Sequence, residues 1–75
     1  MNDRFLVLAD QPLGNGVGPE SFGDVSGYAV IAFDDLDEAE VFCASMIDRY
    51  RRLRVVDRET YDGEAIQVVH ETRRE

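Results

Sequence analysis

The sequence predicts a small α+β domain in which one helix packs on a mainly antiparallel four-stranded sheet, in the order strand, strand, helix, strand, strand. Three observations predict it. Two short runs rich in β-branched and aromatic residues, Arg4 to Ala9 (RFLVLA) and Gly27 to Phe33 (GYAVIAF), are bounded by Gly, Pro or Asp, as strands are. From Asp35 the apolar spacing changes to steps of three and four, the period of a helix face. Beyond it, two more β-branched runs flank an Asp-Gly pair, a hairpin signal.

The expected elements are strands at about 4–9, 27–33, 54–59 and 65–70, a long loop at 10–26, a helix at about 36–53 and a fraying tail at 71–75, all in one domain over residues 1–75. The loop holds both prolines and four of the six glycines. The helix stripe is Leu36, Ala39, Phe42, Cys43, Met46, Ile47, Tyr50 and Leu53. Asp35 is its expected N-cap, with Glu38 three residues on as in a capping box. Asp37, Glu38 and Glu40 suit the positive end of the helix dipole, and Arg49, Arg51 and Arg52 the negative end. Val55 and Val56, then Ile66, Val68 and Val69, supply the last two strands around Thr60 to Glu64. A helix between two hairpins crosses one face of a single sheet. In element order alone the chain resembles β-grasp proteins, whose first and last strands pair in the centre. A parallel pairing of the second and third strands is another of the few arrangements the order leaves open.

One helix covers one face of a sheet, so each strand should alternate apolar and polar residues. The first two strands do not. Phe5, Val7 and Ala9 oppose Leu6 and Leu8, and Tyr28, Val30 and Ala32 oppose Ala29, Ile31 and Phe33. Either the loop folds over the second face as a lid, through Leu13, Val17, Phe22 and Val25, or a partner covers it.

The chain has 75 residues, 44% of them hydrophobic, and a formal net charge of −8. With no lysine, neither a P-loop phosphate clamp nor a Schiff-base nucleophile can be built. One cysteine, Cys43, and one histidine, His70, exclude an intramolecular disulfide and a zinc site of several Cys and His ligands. The longest apolar run, Tyr28 to Phe33, is far shorter than the roughly 20 residues of a membrane span. The expected location is the cytoplasm, with no membrane association.

The charge is unevenly placed. Residues 1–48 carry ten acids and one arginine, residues 49–58 five arginines and one acid, and residues 59–75 five acids and two arginines. The acidic stretch, Asp34, Asp35, Asp37, Glu38 and Glu40, is the candidate partner-binding surface, because its field attracts a basic partner. Arg49, Arg51, Arg52, Arg54 and Arg58 with Tyr50 approach a nucleic-acid face, but the overall acidity opposes phosphate binding. Leu13 to Gly18 is glycine-rich without the GxGxxG spacing; Gly14, Gly16 and Gly18 together with Arg54 and Arg58 form the candidate anion site. The acids do not follow an EF-hand loop, so no metal and no cofactor are expected. Cys43 lies on the apolar stripe, where a thiol is inert, and no catalytic residues are identified.

The reading that follows is a non-enzymatic protein-binding module that docks its acidic surface on a basic partner, with homodimerisation open. In size and charge it resembles phage-encoded inhibitors, including anti-CRISPR proteins and DNA mimics. The resemblance implies carboxylates acting as phosphate mimics, and a bacterium or infected host cell as the setting. The alternatives are a small-ligand or nucleotide-binding domain, using the Gly-rich loop and the arginine face, and an accessory homodimeric structural protein.

Overall fold

A computed structural model describes residues 3–11 and 18–74. The strands are β1 (Phe5–Ala9), β2 (Glu20–Phe22), β3 (Val25–Phe33), β4 (Arg52–Asp57) and β5 (Gln67–Arg73); the helix α1 (Leu36–Met46) lies between β3 and β4, and a short 3-10 helix (Arg58–Thr60) follows β4. The sheet has five strands, ordered β2-β3-β1-β4-β5, and every neighbouring pair is antiparallel. The α+β class and the strand–helix–strand order agree with the sequence.

The detail differs in four places. The expected loop contains β2, which pairs with the start of β3 (Glu20↔Gly27, Phe22↔Val25) and makes the strand count five instead of four. Its turn works because Gly23 adopts φ +70°, which an L side chain rarely takes. The helix ends at Met46 rather than near residue 53. Tyr50 and Leu53 continue the helical spacing by coincidence, since Leu53 also alternates with Val55, and pairing with β1 (Ala9↔Leu53) draws this stretch into the sheet. Consequently Arg49, Arg51 and Arg52 lie outside the last helical turn, which has no basic residue. The tail does not fray before Arg73, because Arg52↔Arg73 pairing, a bond from the Arg74 N–H to the Arg51 carbonyl (2.9 Å) and an Arg52–Glu71 ion pair (2.8 Å) hold it. Finally, the β4–β5 connection is longer than a hairpin turn. Asp62 accepts from the N–H groups of Glu64 and Ala65 (both 2.9 Å) and shapes it locally.

Neither expected strand order occurs. β1 is central, antiparallel to both neighbours, so β3 and β4 run parallel with β1 between them and α1 crossing over it. That position explains why β1 is buried on both faces. On the helix side, Phe5, Val7, Ala9, Ala39, Cys43, Leu53 and Val55 form one core. On the other side, Leu6, Leu8, Val25, Val56 and Ile66 form a second, with Phe22, Ala29 and Ala32 packed against it. The chain therefore supplies a cover of its own. Phe22 meets Tyr61 edge-on at 5.3 Å, and Gly23 lies against the backbone of Glu64. Of the four expected lid residues, Phe22 and Val25 take part, while Leu13 and Val17 lie outside the described residues. Ile66, from the β4–β5 connection, completes the cover.

One buried carboxylate ties the start of β1 to the end of β4. Asp57 receives two 2.8 Å bonds from Arg4 and another from the Glu59 N–H (3.1 Å), and these bonds hold its carboxyl below the usual carboxylate range. No helix among the described residues is long and apolar enough to cross a membrane.

Candidate partner-binding site

The acidic stretch spans the end of β3 and the start of α1, and the fold divides its five carboxylates among different tasks. Asp35 is the N-cap, its side chain accepting from the Asp37 N–H at 3.0 Å, and its carbonyl accepts from Ala39 at 3.2 Å. The capping expectation holds, although the side chain serves the second helical position rather than Glu38. Glu40, half-buried, turns toward β5, its Oε2 3.8 Å from His70 Nδ1. His70 is further fixed by its Nε2 and the Thr72 hydroxyl, 2.8 Å apart. Asp34 is exposed in the bend before the helix.

Asp37 and Glu38 are different. With Phe33, Val41 and Phe42 they line a groove of about 460 Å³. Asp37 and Val41, and likewise Glu38 and Phe42, stand four residues apart on α1 and so share one flank of the helix. Phe33, the last residue of β3, forms the apolar floor with Phe42, their rings 5.6 Å apart and tilted by 53°. Val41 is 69% exposed, the highest value among the exposed large hydrophobic residues described. Among the described residues, no cation pairs with Asp37 or Glu38. The arrangement offers an apolar seat with two carboxylates on its rim. Such a seat suits an aliphatic group next to a guanidinium or ammonium.

The arginine set is not assembled in the same way. Arg54 donates to the Ser26 carbonyl, and burial with nearby Arg52 lowers its pKa. Arg58 donates through Nε and Nη2 to the Asp3 carbonyl, at 2.8 and 2.5 Å. The two guanidinium groups thus serve separate carbonyls on different parts of the sheet. Gly18 is exposed with open space around it, while Gly14 and Gly16 lie outside the described residues.

Cys43 is buried under the helix, where desolvation and the Glu40 charge push its thiol up to about 11. Among the described residues, no group of three or more His, Cys, Asp or Glu side chains is placed to hold a metal ion.

Sequence reasoning missed Phe33 and Val41. A signal for Val41 was present: it is an apolar residue off the Leu36, Ala39, Cys43, Met46 stripe, directly after the acids Asp37, Glu38 and Glu40. Phe33 was marked only as part of the apolar surplus of its strand, because its place in the groove depends on where the strand ends against the helix. Comparison with known proteins finds no matching family model, no similar curated protein and no similar solved structure.

Proposed function

We propose that the chain is a non-enzymatic protein-binding module that docks on a basic partner through the groove between β3 and α1. The observation that carries this reading is the juxtaposition of exposed Val41 and the Phe33–Phe42 floor with the carboxylates of Asp37 and Glu38, which have no cation partner among the described residues. An apolar centre anchors an interface, and charges at its rim set the partner's sign and speed encounter. The net charge of −8 acts in the same direction over a longer range. Inhibitors carried by phages, which block basic nucleic-acid channels, are one class in which a body of this size and charge serves such a role, with Asp34, Asp35, Asp37, Glu38 and Glu40 presented to Arg and Lys of the target.

The test replaces Asp34, Asp35 and Asp37 by Asn and Glu38 and Glu40 by Gln. Asn is itself a good N-cap, so the helix start survives the change. Affinity capture from the native host, at physiological salt, should lose the basic partner that the unaltered protein retains, with circular dichroism unchanged. Retention of the same partner by the five-fold variant overturns the reading.

A further inference from the structure

Strand β3 is nine residues long, but β2 pairs only with Val25–Gly27. Over Tyr28–Phe33, β1 occupies one side of the strand, and among the described residues no strand occupies the other. Natural sheets guard such edges with charge, proline or a cover. The opposite edge, β5, follows this rule with Glu71 and Arg73. The β3 edge does not, for it contains no charged residue between Asp24 and Asp34. A bulge at Val30, between the pairs Val7↔Ile31 and Leu8↔Ala29, turns the strand and leaves Ile31–Phe33 as the regular part of the open edge. This is the part that borders the groove. Phe33 belongs to both, and Ile31, opposite Val7, is 42% exposed.

We infer that the partner contributes an extended segment that adds to the sheet along Ile31–Phe33, with an aliphatic side chain in the groove and a neighbouring Arg or Lys on Asp37 and Glu38. The inference deepens the groove-docking reading and rests on it. Backbone pairing along an open edge supplies affinity, and pockets for alternate side chains supply selectivity. The residue that pairs with Phe33 shares its face of the sheet and meets Val41 and Phe42. The next residue on that face stands roughly 7 Å further on, two strand steps away, within reach of the groove's acidic rim. Charge selects this occupant over a second copy of the chain. Another β3 edge brings no cation between its Asp24 and Asp34, and it arrives on a body that also carries −8.

The probe is a capped peptide, Arg-Arg-Val-Thr-Val-Thr-Val-Arg-Arg, titrated into the isotope-labelled full chain and followed by nuclear magnetic resonance. Two companions accompany it: the same peptide N-methylated at all Val and Thr residues, and one with Glu for Arg. Strand addition shifts the amides of Ile31–Phe33, raises about tenfold or more the hydrogen-exchange protection of those whose N–H points away from β1, and makes the methylated peptide bind at least about tenfold more weakly. The acidic peptide does not bind, and Val41→Asp weakens the basic peptide to a similar degree.

Equal binding of the methylated peptide overturns strand addition, yet leaves a basic partner seated by side chains alone. Absence of binding by every peptide also overturns strand addition, and the capture experiment with the five-fold acid variant then decides the groove-docking reading separately. Sedimentation of the free chain as a dimer, with Ile31–Phe33 already protected, assigns the edge to a second copy and refutes the inference.

Discussion

Replacing Leu8 by Ala tests whether the face of the sheet away from the helix is a true core of the isolated chain. Leu8 is fully buried and packs in the cluster of Leu6, Val25, Val56 and Ile66, bordered by Phe22, Ala29 and Ala32. Truncating a fully enclosed leucine removes its transfer energy and leaves a cavity, at a cost of about 3–4 kcal/mol. A 75-residue domain has a total stability of about 4–11 kcal/mol, so the loss is about a quarter or more of it. In urea, with a slope near 1 kcal/mol/M for a chain of this size, the midpoint should fall by about 3 M at unchanged slope. The thermal midpoint should fall by roughly 12–30 °C. Circular dichroism during urea titration gives both midpoint and slope, and Val41→Ala, at an exposed site, should stay within about 0.5 kcal/mol of the parent. A Leu8→Ala cost below about 1 kcal/mol would refute the reasoning, because it would mean that the chain does not close this face by itself.

Three further predictions concern other contacts of the fold. Gly23→Ala places a Cβ 1.8 Å from the Glu64 carbonyl oxygen at φ +70°, and should cost more than Gly63→Ala, which meets nothing within 4 Å and bears only the roughly 1–2 kcal/mol of a left-handed backbone; equal costs would show that Gly23 does not press on the β4–β5 connection. Because the Asp57 carboxyl is held below its ordinary range, the stability it contributes is fully present above the unfolded pKa near 4 and is lost as pH falls through the lower folded value. Asp57→Asn should therefore be less stable than the parent by about 1–3 kcal/mol at neutral pH, and the gap should close in acid, as urea midpoints at several pH values will show. Cys43 should resist a thiol-labelling reagent in native buffer and react readily in urea, since its thiol is buried and pushed up to about 11; fast native labelling contradicts the packing of α1.

What could be read from the sequence was what local patterns determine. β1 and β3 announce themselves as uninterrupted apolar runs, and α1 begins where Asp35 must cap it. The end of α1 was not legible, because Tyr50 and Leu53 fit a helical period and a strand alternation equally well, and only the pairing Ala9↔Leu53 separates them. β2 was hidden for a similar reason: Glu20–Phe22 has no pattern of its own and is a strand only because Gly23 can turn the chain back onto Val25. The order of the strands depends on contacts between distant residues, and the element order alone left a few arrangements open, of which the two named do not occur.

The apolar surplus in the first two strands has two different physical outcomes. In β1 it is consumed within the chain: flanked by β3 and β4, Leu6 and Leu8 find partners on a second core that Phe22, Val25 and Ile66 complete. The domain has no need of another molecule there. In β3 the surplus is not fully consumed, because β2 stops at Gly27 and Ile31 remains 42% exposed. Charge alone marked the acidic stretch, and could not separate Asp35, which caps the helix, or Glu40, which lies 3.8 Å from His70, from Asp37 and Glu38, which have no cation partner among the described residues. Those two are also the ones beside the exposed apolar residues. Carboxylates with no cation among the described residues and exposed apolar surface thus meet at one place in the fold, the flank of α1 beside the end of β3, inside the acidic stretch that charge had marked.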